Sequence, residues 1–263
     1  MQTNMYEGIK IVDDFSSMTQ DELVIEAPLQ VNINGEPYTV VMRTPGDDEE
    51  LTRGLLFAED IYKKQQPVTF EIVEESQSIT QIINLKVDPE NLGKGYLNKR
   101  TLLSVSSCGI CGKQKLEDIT LEGTALQKQL SFSSKNLFAM FVCLQMHQQT
   151  FLKTGGSHAA GVFDSNFQLL TSKEDIGRHN AVDKCVGDLL RKKLLQNATY
   201  LLVSGRVSYE IVSKAFIAKI PVIVAVSACS SMAVDYAKEL GICLIGFTRK
   251  NKMTIYSNPS FLQ

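Results

Sequence analysis

Alternating apolar and polar positions mark the first part of the chain as strands joined by turns. Residues 23–26 and 29–33 lead into Asn34-Gly35, a dipeptide typical of tight hairpin turns, and residues 38–42 follow. A helix is predicted after Asp47, its expected cap, because acidic residues 48–50 precede apolar positions at helical spacing. Further strands are predicted at residues 69–73 and 80–87, which completes a small α+β region.

The pattern changes to a helical period at Ser134. Apolar residues from 137 to 146, including Phe138 and Met146, predict a helix core, and Gly155-Gly156 is expected to close this helix after residue 153. A hairpin is predicted over residues 159–171. Helices then alternate with strands. The predicted helices are 181–195, 209–218 and 232–240, and the predicted strands are 199–204, 222–226, 242–247 and 253–256. Such alternation predicts an α/β sheet, largely parallel in its later strands, with helices on its faces.

A polar stretch over residues 117–134 lacks clear periodicity and separates the two patterns. It predicts a smaller α+β domain over residues 1–130 and an α/β domain over residues 131–263. With 263 residues and 44% hydrophobic content, the chain is long enough to bury a sizeable core.

Charge and hydropathy exclude several classes of function. The net charge is −2, with 27 basic and 29 acidic residues and no long block of like charge, which disfavours nucleic-acid binding. The longest apolar run, residues 220–226, is far short of the ~20 residues that a membrane helix needs. Residues 1–7 lack the features of a signal peptide. We therefore expect a cytoplasmic protein without a membrane partner, whose six cysteines are reduced.

Cys108-Gly109-Ile110-Cys111-Gly112 carries the candidate chemistry. A thiolate is a good nucleophile, sulfur carrier and soft-metal ligand, and adjacent glycines let a bulky partner approach closely. Half of a zinc site, a thioredoxin-like dithiol and accidental spacing are alternatives. A zinc site normally needs a second ligand pair. The other four cysteines are scattered singly, which favours no metal.

Polar residues collect after the predicted strands, where open α/β sheets bind ligands. The loop at residues 204–210 contains Arg206 between a glycine and hydroxyl residues, and this composition suits a phosphate or carboxylate. A denser cluster, residues 174–180, contains Arg178 and His179, and His158 opens a strand between small residues. Helix caps, a surface salt bridge for Arg206 and a core histidine at position 158 remain alternatives.

Four motifs together resemble the FdhD family of sulfur carriers, which formate dehydrogenase activity requires. They are Cys-Gly-Ile-Cys-Gly at 108–112, Ser-His-Ala-Ala-Gly at 157–161, Glu-Asp-Ile-Gly-Arg-His-Asn-Ala-Val-Asp-Lys at 174–184 and Ser-Gly-Arg-Val-Ser-Tyr-Glu at 204–210. The resemblance implies a cytidine-deaminase-like three-layer α/β domain after a smaller α+β domain, in a cytoplasmic homodimer. It also implies that a cysteine desulfurase supplies persulfide sulfur. The sulfur then passes to the bis(molybdopterin guanine dinucleotide) molybdenum cofactor before that cofactor enters formate dehydrogenase.

The match of the Cys-Gly-Ile-Cys-Gly motif to the family implies that Cys108 is the persulfide-bearing residue and that Cys111 assists it. It places cofactor binding in residues 247–252, whose three cations suit a pyrophosphate. These residues are Phe247, Thr248, Arg249, Lys250, Asn251 and Lys252. Arg206, Arg178 and His179 are expected in the same pocket because of their positions after strands.

Two rival functions belong to other classes. A zinc-dependent deaminase would need a catalytic Glu two residues after its His or Cys ligand, but Ala160 follows His158 at that spacing. A chaperone that binds the molybdenum cofactor without carrying sulfur, with structural cysteines, stays open as the alternative.

Overall fold

Three β-sheets and the helices packed on them make up the part of the chain that this computed structural model describes. The described residues are 2–64, 68–73, 81–97, 123–127 and 130–257. Cys108 and Cys111 lie outside them. The predicted roles of these two cysteines are therefore argued from sequence alone.

The first sheet is a two-stranded antiparallel ribbon. It consists of β1 (Thr3–Val12) and β2 (Phe15–Val24), paired in register from Thr3 opposite Val24 to Val12 opposite Phe15. Its tight turn, Asp13-Asp14, has positive φ at both residues (46° and 67°), a conformation that Asp tolerates better than most residues.

The second sheet has the strand order β4-β3-β6-β5. Its strands are β3 (Ala27–Ile33), β4 (Glu36–Arg43), β5 (Thr69–Val73) and β6 (Gln81–Lys86). The predicted hairpin between β3 and β4 is confirmed, with positive φ at Asn34 and Gly35. The central pairing of this sheet, between β3 and β6, is parallel. Helix α1 (Asp48–Ala58) follows β4, and a short α2 (Lys94–Leu97) follows a 3-10 turn at Pro89–Asn91.

Asp47 precedes α1 as predicted, but its expected capping bond is absent. The residue has φ 56° and its side chain makes no cap hydrogen bond. It forms an ion pair with Lys173 instead. The prediction of a capping Asp47 was therefore wrong, because a residue 126 positions away in the sequence takes its carboxylate.

The third sheet contains six strands in the order β12-β11-β10-β9-β7-β8. Its strands are β7 (His158–Phe163), β8 (Leu169–Asp175), β9 (Tyr200–Val203), β10 (Val222–Ala225), β11 (Cys243–Arg249) and β12 (Lys252–Ser257). The accompanying helices are α3 (Ser134–Met146), α4 (Gln149–Thr154), α5 (Arg178–Arg191), α6 (Tyr209–Ile217) and α7 (Ser231–Glu239). Strands β9, β10 and β11 are parallel, as the alternating pattern predicts.

The helix predicted to continue from residue 134 to 153 is two helices, α3 and α4. The chain turns at His147 and Gln148, and Gly155 ends α4 in the left-handed conformation. The carboxylate of Glu174 accepts hydrogen bonds from the backbone N–H groups of Thr150 and Phe151, both at 2.8 Å. A side chain from β8 thus caps a new helix start, which local periodicity could not reveal.

Alternate residues of the central strands pack on opposite faces of the third sheet. Leu201 and Val203 of β9 belong to the core under α5, α6 and α7, whereas Tyr200 and Leu202 belong to the core under α3. Each fully buried apolar side chain contributes about 1.5–3 kcal/mol. The predicted α/β class with three layers is confirmed.

Helix α1 packs directly on α5, which joins the earlier sheet to the later one. An added Cβ at Gly54 would lie 1.9 Å from the carbonyl oxygen of Asp183, and one at Gly187 would lie 1.9 Å from that of Glu50. Only glycine allows backbones this close.

The domain boundary at residue 130 stays a prediction. Across the described ranges, no helix combines the length and hydropathy needed to cross a membrane.

Candidate functional site

One edge of the third sheet gathers the polar motifs. Strands β9, β10 and β11 end at this edge, and the antiparallel strand β7 begins there. His158 pairs with Asp175, so β8 ends at the same edge. The structure therefore brings residues 158, 174–180, 204–210, 227–231 and 247–252 to one side of the sheet, as the position of ligand sites in α/β folds led us to expect.

Backbone hydrogen bonds tie the loops along this edge together. The N–H of Val207 donates to the carbonyl of Ala228, and the N–H of Ser230 donates back to Val207, both at 3.0 Å. Further along, the N–H of Phe247 donates to the carbonyl of Ser227 at 3.0 Å. The loops after β9, β10 and β11 are thus linked in series.

The first part of this edge is a group that we call the anchored cluster: His158, Arg178, His179, Arg206 and Ser208. A Cβ at Gly205 would lie 3.3 Å from both Arg178 Cδ and His158 Nδ1, so these two side chains flank the glycine. His179 Nε2 lies 3.0 Å from Ser208 Oγ. Arg178 and His179 therefore lie against the loop that carries Arg206.

Burial and the charges of the anchored cluster favour the neutral form of His158. Burial lowers the pKa of His158 most, and the positive charge of Arg178 lowers it further. Asp175 opposes this with a smaller effect than that of Arg178, and Arg206 adds the smallest lowering effect. A neutral imidazole can accept or donate a hydrogen bond without adding charge. Its neighbours supply the positive charge at this part of the edge.

Glu210 connects His179 to charges inside the fold. Its Oε2 lies 3.3 Å from His179 Nε2, and its Oε1 lies 3.7 Å from Lys214 Nζ. Lys214 also contacts both carboxylate oxygens of Asp183, at 2.7 and 2.8 Å. Burial opposes the charge on Lys214, but Asp183 and Glu210 raise its pKa. The sequence interpretation did not find Glu210 or Ser208 as partners of His179.

The second part of the edge is the turn between β11 and β12, residues 247–252, which we call the hairpin tip. Phe247 has φ 52° and is 40% exposed, whereas Thr248 is buried. Thr248 Oγ1 has no hydrogen-bond partner among the described residues. An orphaned buried hydroxyl is uncommon in folded proteins and is consistent with a polar ligand at this position.

The hairpin tip opens onto a cleft of about 900 Å³. The lining residues are Ser134, Phe138, Phe247, Arg249, Lys250, Asn251, Lys252, Met253 and Thr254. Three cations and two aromatic rings thus face one concave surface. Five of the six predicted residues of the hairpin tip line this cleft, and the sixth, Thr248, is buried and is not part of the lining.

The single pocket expected for all cofactor-binding residues appears as two groups. Arg178, His179 and Arg206 belong to the anchored cluster and are not among the described residues that line the cleft. The linked loops connect the two groups along the edge. The assignment of both groups to cofactor binding stays a prediction.

Phe138 was predicted to be core, but it lines the cleft, and Met146 is 62% exposed. The buried residues of α3 are Leu137, Met140, Phe141 and Leu144. This is the i, i+3, i+4, i+7 stripe of an amphipathic helix, and Phe138 and Met146 lie off it. A stricter reading of that period identifies Phe138 as a candidate ligand contact.

Three of the four cysteines that the structure describes, Cys185, Cys229 and Cys243, are poor nucleophiles. Burial raises the pKa of Cys185, raises that of Cys243 to about 12 and raises that of Cys229 to about 11. These thiols are therefore protonated near pH 7. The apolar sequence around these three cysteines is typical of buried, inert thiols.

Comparison with protein families decides the relationship that the motifs suggested. The FdhD/NarQ family model matches residues 24–263. The chain belongs to the FdhD/NarQ family. The match includes Cys108, Cys111, the anchored cluster and the hairpin tip, and the resemblance read from the four motifs is confirmed.

Curated members of the FdhD/NarQ family match over nearly the whole chain. A protein from Sulfolobus acidocaldarius is 35% identical, over 98% of this chain and 98% of its own. One from Streptomyces coelicolor is 37% identical, over 97% and 94% respectively. One from Mycobacterium tuberculosis is 38% identical, over 90% of each chain. All three are named sulfur carrier protein FdhD.

A solved structure matches the fold. A crystal structure from Desulfotalea psychrophila, described as that of a formate dehydrogenase accessory protein, superposes with a TM-score of 0.78 and covers 100% of both chains. The sequence identity is 21%, so this likeness shows the fold alone.

Proposed function

We propose that this protein is a sulfur carrier for formate dehydrogenase. In this proposal Cys108 receives persulfide sulfur from a cysteine desulfurase and passes it to the bis(molybdopterin guanine dinucleotide) molybdenum cofactor. The loaded cofactor then enters formate dehydrogenase. Relatives at 35–38% identity named as sulfur carriers support the role. The observation that carries the proposal is the cationic, aromatic cleft at the hairpin tip.

The residues of the hairpin tip fit a substrate that contains a nucleotide and a pyrophosphate. Arg249, Lys250 and Lys252 supply positive charge to phosphate oxygens. The exposed ring of Phe247 offers an aromatic surface to a guanine base. Thr248, whose buried hydroxyl has no partner among the described residues, lies between two residues of the lining and is not itself part of it. The anchored cluster would add the charges of Arg178 and Arg206 further along the edge.

The cysteine chemistry is a sequence of thiolate exchanges. The Cys108 thiolate attacks the terminal sulfur of the desulfurase persulfide, so a new S–S bond forms, the donor S–S bond breaks and the donor cysteine leaves as a thiolate. A nucleophilic group of the acceptor then attacks the terminal sulfur of the Cys108 persulfide, so a bond from that sulfur to the acceptor forms, the S–S bond breaks and Cys108 leaves as the thiolate. Cys111 could also attack Cys108, forming a disulfide and releasing the terminal sulfur as hydrosulfide.

The molybdenum cofactor is the substrate here, and it carries the redox chemistry. This chain's own residues bind it and hold its charged groups at the sheet edge. The proposal includes the cytoplasmic homodimer that the family resemblance implies, with cysteine desulfurase and formate dehydrogenase as partners.

The competing function is a chaperone that binds the cofactor while its cysteines serve structure only. We would compare wild type with Cys108→Ala in a strain that lacks the native protein, and measure formate dehydrogenase activity and cofactor binding. If the protein is a sulfur carrier, Cys108→Ala should still bind the cofactor but should no longer activate formate dehydrogenase. Cys143→Ala is the control, because Cys143 is a partly buried thiol outside the motif.

Full activation by Cys108→Ala would contradict the carrier function and favour the chaperone. Loss of cofactor binding in the hairpin-tip variant Arg249→Ala/Lys250→Ala/Lys252→Ala would support the assigned cleft. Unchanged binding in that variant would overturn the assignment.

A further inference from the structure

Asp175, at the end of β8, is a fully buried carboxylate whose two oxygens serve different parts of the fold. Oδ1 accepts hydrogen bonds from the N–H of Gly177 and from Asn180 Nδ2, both at 2.8 Å. Oδ2 accepts from the N–H of Thr44 at 3.0 Å and from Lys184 Nζ at 2.8 Å. Each oxygen thus has two donors, which fills the acceptor capacity of a carboxylate.

The donors on Oδ1 belong to the start of α5. Gly177 occupies the N-cap position and makes no side-chain cap hydrogen bond, since glycine has no side chain. Most helices begin with a Ser, Thr, Asp or Asn cap that fixes the first turn. In α5 the carboxylate of Asp175 instead holds the N-cap N–H of Gly177 and the side-chain amide of Asn180, so it fixes the first turn without capping it. The next residues after Gly177 are Arg178 and His179.

The donors on Oδ2 extend the connection to the earlier part of the chain. Lys184 Nζ also donates to the carbonyl of Thr44 at 2.9 Å, and the N–H of Ile176 donates to Thr44 Oγ1 at 3.0 Å. Asn180 Nδ2 donates to the carbonyl of Met42 at 2.8 Å. The end of β4 is therefore bonded to both sides of the α5 start.

This arrangement exceeds what stability alone requires. Asp175 and Lys184 are both 0% exposed, and a buried ion pair often stabilises a protein no more than apolar residues of similar size would. Such a pair does orient the groups around it, because each of its hydrogen bonds has a preferred geometry. Here the geometry that is fixed belongs to the helix turn beside the Ser204–Ser208 loop.

We propose that Asp175 is a positioning residue for ligand binding. It holds the first turn of α5 so that Arg178 and His179 keep their places against Gly205 and Ser208. Through Thr44, the sheet formed by the earlier part of the chain supports the same turn. The class of ligand, a phosphate-bearing nucleotide, rests on the proposed function. The positioning of Arg178 and His179 rests on the contacts described above.

The experiment compares Asp175→Asn, the double variant Asp175→Asn/Lys184→Met and the control Asp188→Asn. Asp188 lies in the same helix, is buried, and bonds Thr171 Oγ1 at 2.6 Å and Lys192 Nζ at 2.7 Å. It lies ten residues after Arg178, about 15 Å along the helix. The probe is guanosine diphosphate, its Kd is measured by calorimetry, and thermal midpoints are recorded for each variant.

We expect Asp175→Asn to weaken binding by about 10- to 100-fold, the range for groups that orient binding residues, and to lower the thermal midpoint. The double variant removes both buried charges, so it should recover much of the midpoint without recovering the affinity. Asp188→Asn should lower the midpoint with wild-type affinity. Wild-type affinity in the double variant, or an equal loss of affinity in Asp188→Asn, would overturn the positioning role.

Two additions keep the test decisive. If the Asp175 variants do not fold, Asn180→Ala removes two hydrogen bonds from a half-buried site, and we expect about fivefold weaker binding. Unchanged affinity would then count against the proposal.

If wild type does not bind guanosine diphosphate, the proposed ligand class fails. The positioning role is then tested by the ring-proton NMR signals of His179. These should move in the double variant and stay in place in Asp188→Asn, and unmoved signals in both would overturn it.

Discussion

The two cationic groups at the sheet edge differ in what lies behind them. The anchored cluster stands on the buried pairs Asp175–Lys184 and Asp183–Lys214. The cations of the hairpin tip are exposed, and they form no ion pair with any residue in the described ranges. Cationic side chains at one sheet edge can therefore be supported by buried ion pairs, as in the anchored cluster, or lie on the surface without them, as at the hairpin tip. Substitutions behind the cluster should affect stability and binding together, whereas substitutions at the tip should affect binding alone.

The largest effect is expected from Lys184→Met. It leaves the Asp175 carboxylate buried without its counter-charge, so the free energy of unfolding should fall by about 3–5 kcal/mol. Urea denaturation measures this change. Lys192→Met is the control, because Lys192 is half exposed and pairs with Asp188 at the other end of α5; its loss should stay below about 1 kcal/mol. Equal losses in both variants would remove the distinction between buried and surface pairs.

Gly54→Ala should come next. The added Cβ would collide with backbone of α5, and overpacking of this kind costs about 1–3 kcal/mol or somewhat more. The collision should also separate α1 from the helix that carries Arg178 and His179. Gly8→Ala, whose nearest contact would be an ordinary 3.7 Å, should change stability by less than about 0.5 kcal/mol in the same denaturation assay. A Gly54→Ala variant as stable as wild type would contradict the close helix contact.

At the hairpin tip, Arg249→Ala/Lys250→Ala/Lys252→Ala should leave the free energy of unfolding within about 0.5 kcal/mol of wild type. Guanosine diphosphate binding should weaken by about 100-fold, at roughly 1 kcal/mol for each exposed cation. Calorimetry at two salt concentrations measures the affinity and its salt dependence. Lys10→Ala/Lys63→Ala/Lys86→Ala makes the same change in net charge away from the edge. A similar loss of affinity in that control would mean that net charge, not the tip, governs binding.

The smallest effect is a change in the pKa of His158. Arg206 lowers this pKa, after burial and Arg178, so Arg206→Gln should raise it. A folded-state pKa below 6.5 means that stability falls as pH drops through 6.5 towards that pKa, and Arg206→Gln should make this fall smaller. Titration of the ring protons by NMR measures the pKa. An unchanged or lowered value would place Arg206 away from His158.

Much of this architecture could be predicted because it depends on neighbours in sequence. Asn34-Gly35 defines a hairpin through its backbone preferences, and alternating helices and strands define parallel β9, β10 and β11. The same logic brought Arg178, His179, Arg206 and the hairpin tip to one edge.

The features that could not be predicted depend on contacts between distant residues. Glu174 caps a helix that begins 25 residues earlier in the chain, at Gln149, and therefore breaks the predicted helix at His147. Asp175 bonds Thr44, which is 131 positions away. A local pattern contains no information on such partners, so the division between anchored cluster and hairpin tip required coordinates.

The measurement that tests the central claim most directly is intact-protein mass spectrometry after incubation with a cysteine desulfurase and cysteine. Wild type and Cys111→Ala should gain the mass of one or more sulfur atoms, reversibly with reductant, and Cys108→Ala should gain none. A wild-type protein that gains no sulfur, or a Cys108→Ala variant that gains as much as wild type, would contradict the account.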